Sequence, residues 1–328
     1  MQLKLKNIGM IKEADIVIDG LTVIAGENDT GKSTVGKSLF LSVKTAQKYQ
    51  EIEKIKFINK MESLLFKDSI PNGSIFIDEK CLIQPSGNDI IRYMDPSIRT
   101  DILDVSMVET PVVWNLAEYF NAIEMIKTEA SFFDQDYQIP YPYLMWDIYR
   151  KLSLPKNENI KLKDKKVFLN QIKTIIDGEF TKDDFGNFIF LKEGKKIPIV
   201  NTATGIKQFG IIQKLIENNY VHDKSILILD EPEVHLHPKW QLKMAEVIIE
   251  LIKNGVKVVV NSHSPYMIEA LQRYSELEKV NADFYLAEDG VIGKVDDSNS
   301  KTLSKIFSKL SEPFDLFEEM ESERFQNG

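Results

Sequence analysis

The segment GENDTGKS, residues 26–33, contains two glycines, a lysine and a serine at the spacing of a phosphate-binding loop, or P-loop. It follows the apolar run 21–25 and precedes a helical pattern, which is the setting that such a loop requires. Gly26 and Gly31 permit a tight curl of the backbone without a Cβ clash. The alternative is an ordinary glycine-containing turn, but the strand, loop and helix together favour the P-loop.

In a P-loop, backbone N–H groups and the N-terminus of the following helix hold phosphate oxygens. Lys32 would reach the β and γ phosphates, and the Ser33 hydroxyl would ligate Mg²⁺. These residues predict that the chain binds a nucleoside triphosphate.

A second segment, SILILDEPEVHLHP at residues 225–238, delivers two adjacent carboxylates to the end of an apolar strand. Ligands of open α/β sheets bind at that edge. We expect Asp230 to hold Mg²⁺ and Glu231 to orient or deprotonate the attacking water as a general base. An ordinary Asp-Glu turn after a strand would be the better interpretation if the P-loop were absent.

A third segment, NSHSP at residues 261–265, follows a second apolar strand. If the two strands are neighbours, His263 lies near the γ-phosphate, where an imidazole can sense and stabilise developing charge. His235 and His237 flank Leu236, but the other ligands of a zinc site are missing from the sequence, so we predict no metal there.

The elements around these segments predict the fold class. Two all-apolar strands near 225–229 and 256–260 enclose a helix that starts at Pro238, which is typical of a parallel βαβ unit covered on both faces. A hairpin is expected around Glu193-Gly194-Lys195, and a helix after Gly205. We divide the chain into a nucleotide-binding head (1–41 and 185–295), a mainly helical insertion (42–184) and acidic C-terminal helices (296–328).

The composition sets limits on function. Of the 328 residues, 43% are hydrophobic and 28% are charged, which suffices for a sizeable core. The net charge of -9 argues against a broad basic face for nucleic acid or anionic lipid. The apolar runs are far shorter than the roughly 20 residues that span a bilayer, and the N-terminus does not have the pattern of a secretory signal. With the single Cys81, this predicts a cytoplasmic protein with no membrane contact.

The segments GENDTGKST, TATGIKQ, LILDEPEVHLHP and NSHSP, in this order, resemble the motifs of ABC-type ATPase heads. The chain is most similar to standalone bacterial ATPases like the overcoming-lysogenisation-defect proteins and to SMC and DNA-repair heads, over residues 1–41 and 185–290. The resemblance implies an α/β fold with a mixed, largely parallel sheet, N-terminal antiparallel strands and a mainly helical insertion. It also implies ATP and Mg²⁺ as cofactors and an ATPase activity with Lys32, Glu231 and His263 as catalytic residues.

The resemblance further implies which residues bind the nucleotide and the metal. In the signature motif, Thr204 and Gly205 match the Ser-Gly pair, whose helix points at the γ-phosphate held by a second subunit. Ser33 and Asp230 would hold the metal. The residues expected to bind ATP are Gly26, Glu27, Asn28, Asp29, Thr30, Gly31, Lys32, Ser33, Thr34, Thr204 and Gly205.

Several departures from the transporter pattern bear on function. The signature reads Gly205-Ile206-Lys207-Gln208, and the stretch after the acid pair reads EVHLHP, so a transporter subunit is disfavoured. Gln84 and the segment Glu109-Thr110-Pro111 are both candidates for the glutamine loop. Too few residues follow His263 for the nuclease domain of many overcoming-lysogenisation-defect proteins, so we expect any nuclease to be another chain.

Two functions remain open from the sequence. In the first, ATP drives the formation of a head-to-head homodimer, as the resemblance implies, and hydrolysis gates a nuclease or toxin effector or a DNA transaction. The resemblance also implies a bacterial setting in anti-phage defence of the Septu or retron-associated kind. In the second, the chain is a nucleotide-gated scaffold with little turnover that holds a toxin or nuclease. The aromatic cluster Tyr141, Tyr143, Trp146 and Tyr149 motivates the second function as a partner-binding surface, although the same side chains could belong to the core.

Overall fold

The computed structural model describes residues 1–66, 73–86, 89–132, 141–156 and 162–326. Within these ranges, eleven strands form one mixed sheet and three form a small antiparallel sheet. In chain order the strands are β1 (Gln2–Ile8), β2 (Ile11–Val17), β3 (Leu21–Ala25), β4 (Ser74–Ile77), β5 (Lys80–Ser86), β6 (Asp89–Tyr93), β7 (Asp104–Val108), β8 (Glu179–Lys182), β9 (Phe188–Lys192), β10 (Lys195–Pro198), β11 (Ser225–Asp230), β12 (Lys257–Ser262), β13 (Ala282–Glu288) and β14 (Val291–Gly293).

The main sheet has the strand order β6-β5-β4-β1-β2-β14-β13-β3-β12-β11-β7. Strands β13, β3, β12, β11 and β7 run parallel to one another and form the core of the sheet. Strand β14 joins this core to β2, pairing antiparallel with β13 and parallel with β2. Strands β1, β2, β4, β5 and β6 pair antiparallel and extend it on one side. The predicted α/β class, with a largely parallel core and N-terminal antiparallel strands, is confirmed.

Helices cover both faces of the parallel core. They are α1 (Lys32–Ala46), α2 (Glu51–Phe66), α3 (Ala117–Phe132), α4 (Tyr143–Ser153), α5 (Lys165–Ile176), α6 (Thr204–Glu217), α7 (Pro238–Lys253), α8 (Pro265–Glu278) and α9 (Asn299–Gln326). No helix of the described ranges is long and apolar enough to cross a membrane.

Successive side chains of β11 point to opposite faces and join two separate hydrophobic clusters, as the period of a strand requires. Ile226 and Ile228 pack in the cluster that contains the apolar residues of α1. Leu227 and Leu229 pack in the cluster that contains those of α6, α7 and α8. Each side chain is at most 1% exposed, and burying one stabilises the fold by about 1.5–3 kcal/mol. The all-apolar sequence of this strand therefore reflects a parallel strand buried on both faces.

The unit β11-α7-β12 has the predicted parallel pairing, and α7 starts where expected. Pro238 occupies the first turn, and His237 caps the helix by accepting a hydrogen bond from the Lys239 N–H at 3.3 Å. Gly255, with a φ of 83°, follows the C-terminal end. The predicted hairpin is also present as β9 and β10, which pair antiparallel.

The segment 42–184, predicted as a mainly helical insertion, contains α2, α3, α4 and α5 and also several short strands. It contributes β4, β5, β6 and β7 to the main sheet, and β7 pairs in parallel with β11 inside the core. The sequence does not predict β7 as a buried strand, because Asp104 and Ser106 are polar. Both are at most 3% exposed, and their hydrogen-bond partners are distant in the chain. The Asp104 carboxylate accepts hydrogen bonds from His222 and Lys156, each at 2.9 Å.

Candidate active site at the carboxyl edge of the parallel strands

The register of the parallel strands brings the three predicted motifs to one edge of the sheet. Asp230 lies opposite Asn261 in the β11–β12 pair, and Ser262 lies opposite Ala25 in the β12–β3 pair. The P-loop, the acid pair and the NSHSP segment therefore start from neighbouring strand ends, although the P-loop is about 200 residues from the other two in the chain. This edge is where open α/β sheets bind ligands.

The P-loop curls around the Lys32 ammonium. The Lys32 Nζ donates hydrogen bonds to the carbonyl oxygens of Gly26 at 2.9 Å and Glu27 at 2.5 Å. Gly31 has a φ of 93°, and a Cβ there would lie 2.7 Å from Ile11 Cγ1, so only glycine fits. A Cβ on Gly26 would approach the Ala287 carbonyl oxygen to 2.3 Å. The glycine spacing is thus a steric requirement of this loop.

The N-terminus of α1 has the features of an anion site. Gly31 precedes the helix without a side-chain cap, so no side chain of the cap position satisfies its first N–H groups. In the first turn of α1, Ser33 is exposed and Thr34 is half-buried. Glu27, Asn28 and Asp29 are exposed on the outer side of the loop. Free N–H groups at the positive end of a helix fit a phosphate group, and an accessible hydroxyl fits Mg²⁺.

A single buried amide joins the P-loop to the acid pair. The Asn261 Nδ2 donates to the Lys32 carbonyl oxygen at 3.1 Å and to Asp230 Oδ1 at 2.7 Å. The Asn261 side chain is fully buried, so this contact is shielded from water. Burial lowers the pKa of Lys32, and the negative charges of Glu231 and Asp230 oppose that shift. The acid pair therefore acts electrostatically on the lysine of the P-loop.

Glu231 and His263 face each other across the ends of β11 and β12. The His263 Nδ1 lies 3.2 Å from Glu231 Oε1, and both side chains are partly exposed, at 40% and 34%. Glu231 has a φ of 48°, a left-handed conformation that is strained for a residue with a side chain. Its backbone N–H donates to the Asn261 carbonyl oxygen at 2.9 Å, which holds it in this conformation. Glu231 is thus a carboxylate that water can reach, with an imidazole beside it, and accessibility is what a general base needs.

Glu233, which the sequence did not single out, is the buried acid of this edge. Its side chain is 4% exposed, and its Oε1 accepts hydrogen bonds from the Ser262 hydroxyl and from the backbone N–H groups of His263 and Ser264. Its position as the second Glu of DEPE is the sequence feature that marks Glu233. Its role is not evident from the sequence, because its hydrogen-bond partners lie about 30 residues away in the chain.

Glu109 also lies at this edge. It follows β7 directly, and the β7–β11 register places it beside Asp230. Burial raises the pKa of the Glu109 carboxyl, the Lys37 ammonium at 3.5 Å lowers it, and the Asp230 charge raises it further. Glu109 and Lys37 line a cavity of about 520 Å³ that also includes Thr34. Of the two candidates for the glutamine loop, the segment at Glu109 adjoins the site, whereas Gln84 lies on β5 near the opposite end of the sheet.

Thr204 and Gly205 form the first turn of α6, which also has no side-chain cap. This turn packs beside the loop after β11, since a Cβ on Gly205 would lie 2.8 Å from Leu236 Cδ2 and 3.0 Å from the His235 carbonyl oxygen. His235 is exposed, and His237 caps α7. Within the described ranges, no group of three or more His, Cys, Asp or Glu side chains could hold a metal ion by itself.

The aromatic cluster belongs to the core. Trp146 and Tyr149 are 9% and 7% exposed, and Tyr141 and Tyr143 are partly buried against the same hydrophobic cluster. The Lys127 ammonium lies 3.7 Å and 3.8 Å from the ring centroids of Tyr141 and Trp146. These rings therefore stabilise the packing of α3 and α4, and their interpretation as an open partner-binding surface loses its support.

A P-loop, an acid pair and an open α/β sheet that unites them are features that this chain shares with P-loop ATPases. Residues 115–268 match the family model of the AAA ATPase domain, which confirms the predicted ATPase activity. The matched range contains the acid pair and His263, and the P-loop precedes it.

Two curated relatives are similar in sequence. The chain is 23% identical to the Septu protein PtuA of Bacillus thuringiensis over 302 residues, which cover 82% of this chain and 72% of PtuA. It is 24% identical to the Retron Vc95 probable ATPase of Vibrio cholerae over 124 residues, covering 33% of this chain and 23% of that protein.

Solved structures of ABC and SMC heads were also matched. An SMC head bound to the C-terminal winged-helix domain of ScpA aligns with a TM-score of 0.46 at 14% identity, covering 89% of this chain and 95% of that one. The ATP-binding cassette MJ1267 of an ABC transporter aligns with a TM-score of 0.42 at 14% identity, covering 94% and 98%.

Proposed function

We propose that this ATPase binds Mg·ATP at the edge formed by β3, β12 and β11, and that ATP joins two copies head to head so that hydrolysis controls an effector. The observation that carries the proposal is the Asn261 amide, which bonds both to the carbonyl oxygen of Lys32 and to Asp230. This contact holds the phosphate-binding lysine and the predicted metal-binding carboxylate within one site.

The roles of the residues follow from their positions. The P-loop N–H groups and Lys32 bind the phosphates, and Ser33 and Asp230 would hold Mg²⁺, which supplies neutralising charge for the phosphate oxygens. Glu231 takes a proton from a water molecule while the oxygen of that water attacks the γ-phosphorus. The bond from that phosphorus to the bridging oxygen of ADP breaks, and the products are ADP and inorganic phosphate. His263 orients Glu231 and stabilises charge that develops on the phosphoryl group.

The second part of the proposal concerns the dimer. The uncapped first turn of α6, with Thr204 and Gly205, would contact the γ-phosphate bound by the other copy, because free helix N–H groups attract an anion. Its position beside His235 and Leu236 connects it to the acid-pair loop of its own copy. ATP would then stabilise the dimer, and hydrolysis would release it.

The biological setting rests on the relatives. Similarity to a Septu protein and to a retron ATPase supports a role in anti-phage defence. We propose a nuclease or toxin chain as the effector. The net charge of -9 favours a protein effector over direct DNA binding as the controlled step. The scaffold alternative has no supporting observation once the aromatic cluster is placed in the core.

The substitution Glu231→Gln tests the proposal. Losing a general base typically costs about 100-fold or more in rate, so we expect steady-state turnover to fall by that factor while ATP still binds. Because this variant retains bound ATP, its mass in solution should shift from one copy to two when Mg·ATP is added.

The control is Glu246→Gln, an exposed glutamate of α7 that accepts one hydrogen bond, from the Tyr274 hydroxyl at 3.4 Å. It should behave as the wild type. Equal turnover of Glu231→Gln and wild type would exclude the assigned base, and a mass that ATP leaves unchanged would exclude the dimer.

A further inference from the structure

We infer that Glu233 is a positioning residue for ATP hydrolysis, one that joins the loop after β11 to the loop after β12 and thereby holds His263 against Glu231. The inference rests on the proposed function and adds to it a residue that touches neither the nucleotide nor the attacking water. Its basis is a set of hydrogen bonds centred on one buried carboxylate oxygen.

Three donors, from the last residue of β12 and the first two residues of the loop after it, converge on Glu233 Oε1. The Ser262 hydroxyl lies at 2.7 Å, the His263 backbone N–H at 3.0 Å and the Ser264 backbone N–H at 3.2 Å. Three consecutive residues are thus tied to one atom of another loop. Since hydrogen bonds to a carboxylate are about twice as strong as neutral ones, this contact determines where the His263 backbone lies.

The position of the His263 backbone determines what its imidazole can reach. The His263 Nδ1 lies 3.2 Å from Glu231 Oε1 and 3.7 Å from Glu233 Oε1. Glu231 is held in its left-handed conformation by the strand next to it, so the remaining variable is the histidine loop. Releasing that loop would let the imidazole move away from Glu231 and leave the base misoriented.

Glu233 itself is not placed to act as the base. Its side chain is 4% exposed, whereas that of Glu231 is 34% exposed. Its Oε1 accepts the bonds from the histidine loop, and its Oε2 is buried, so neither oxygen is open to water. The difference in exposure therefore favours Glu231 as the base and Glu233 as the positioning residue.

A second set of hydrogen bonds connects the His263 loop to Leu236, which lies beside the first turn of α6. The Ser264 hydroxyl donates to Gln241 Oε1 at 2.6 Å, and Gln241 Nε2 donates to the Leu236 carbonyl oxygen at 3.0 Å. Leu236 is the residue that a Cβ on Gly205 would contact. The loop that carries His263 is therefore bonded directly to Glu233 and, through Gln241 of α7, to Leu236, and the side chains of Glu233, Gln241 and Ser264 are buried.

The test is a double-mutant cycle between Glu233 and His263. We expect Glu233→Ala to lower kcat for ATP by about 10- to 100-fold with little change in KM, because a small misplacement of catalytic groups costs rate rather than binding. Glu233→Gln should recover much of the loss, since its amide oxygen still accepts the three bonds. In a His263→Ala background, Glu233→Ala should cause almost no further loss.

Ser262→Ala serves as a milder variant if Glu233→Ala does not fold, and Glu246→Gln is the matched control. Ser262→Ala removes the 2.7 Å bond to Glu233 and the 3.1 Å bond that Ser262 Oγ accepts from the Ser264 N–H, but it leaves the two backbone bonds to Glu233. It should therefore give a smaller loss that also disappears without His263. A loss of equal factor with and without His263, or a raised KM at unchanged kcat, would overturn the inference. Glu231→Gln separates the two levels: if it keeps full turnover, the proposed function fails, whereas if it loses turnover and Glu233→Ala does not, only this inference fails.

Discussion

At the scale of single residues, Glu109 is a carboxyl group whose ionised form is disfavoured by burial. Its pKa is raised above the ordinary 4.5, mainly by burial, so the folded protein binds this proton more tightly than the unfolded chain does. The stabilising contribution is complete below about pH 4.5 and is lost as the pH rises through the pKa of the folded state. At neutral pH the carboxylate therefore lowers the free energy of unfolding.

Glu109→Gln should consequently unfold at a higher temperature than the wild type at pH 7, and the difference should shrink toward pH 4. Thermal unfolding followed by circular dichroism over that pH range measures the effect. Glu118→Gln, at an exposed position of α3, should show no such trend. If Glu109→Gln and wild type unfold alike at every pH, the burial of Glu109 does not affect stability in this way.

Much of the site at this scale was predictable from the sequence. Lys32, Asp230, Glu231 and His263 lie in short segments whose local spacing already indicates their position at strand ends. Glu233 and Asn261 did not emerge, because their importance lies in bonds that span 29 to 229 residues of chain. Local pattern reveals which residues reach an edge, but it does not reveal which of them bond to each other there.

At the scale of elements, a buried lysine holds α4 on the outermost parallel strand. The Lys151 Nζ bonds to Asp147 Oδ2 at 2.5 Å, to the Val105 carbonyl oxygen at 2.6 Å and to Ser106 Oγ at 3.1 Å. Burial lowers the pKa of Lys151 to about 8. The polar residues of β7 stabilise the strand because they bond to α4 and to His222. The same polar residues make β7 unlike a buried strand in the sequence.

Replacing Lys151 with Met should destabilise the fold by about 3–5 kcal/mol, because it leaves the Asp147 carboxylate buried without its ion-pair partner. The double variant Asp147→Leu with Lys151→Met should recover most of that loss. Urea unfolding measures both, and Lys166→Met, at an exposed position of α5, should lie within about 0.5 kcal/mol of wild type. A double variant as unstable as the single one would show that the ion pair is not what holds α4 in place.

At the scale of the whole molecule, the sheet order explains how separate segments form one site. Strands β3 and β11 are 200 residues apart, and β12 lies between them, so its Asn261 contacts the residues that follow both. The parallel unit β11-α7-β12 was predictable from its apolar strands and amphipathic helix. The insertion of β7 and the extension by β4 to β6 were not, because short strands with polar residues resemble loops.

The most direct test of the central claim is calorimetric titration of a non-hydrolysable ATP analogue with and without Mg²⁺. The account predicts that one analogue binds per chain, that Lys32→Ala weakens binding by about 10- to 100-fold in both conditions, and that Asp230→Asn weakens it only when Mg²⁺ is present. The absence of heat with wild-type protein, or an Asp230→Asn variant that binds like wild type in both conditions, would contradict a single site built from the P-loop and the acid pair.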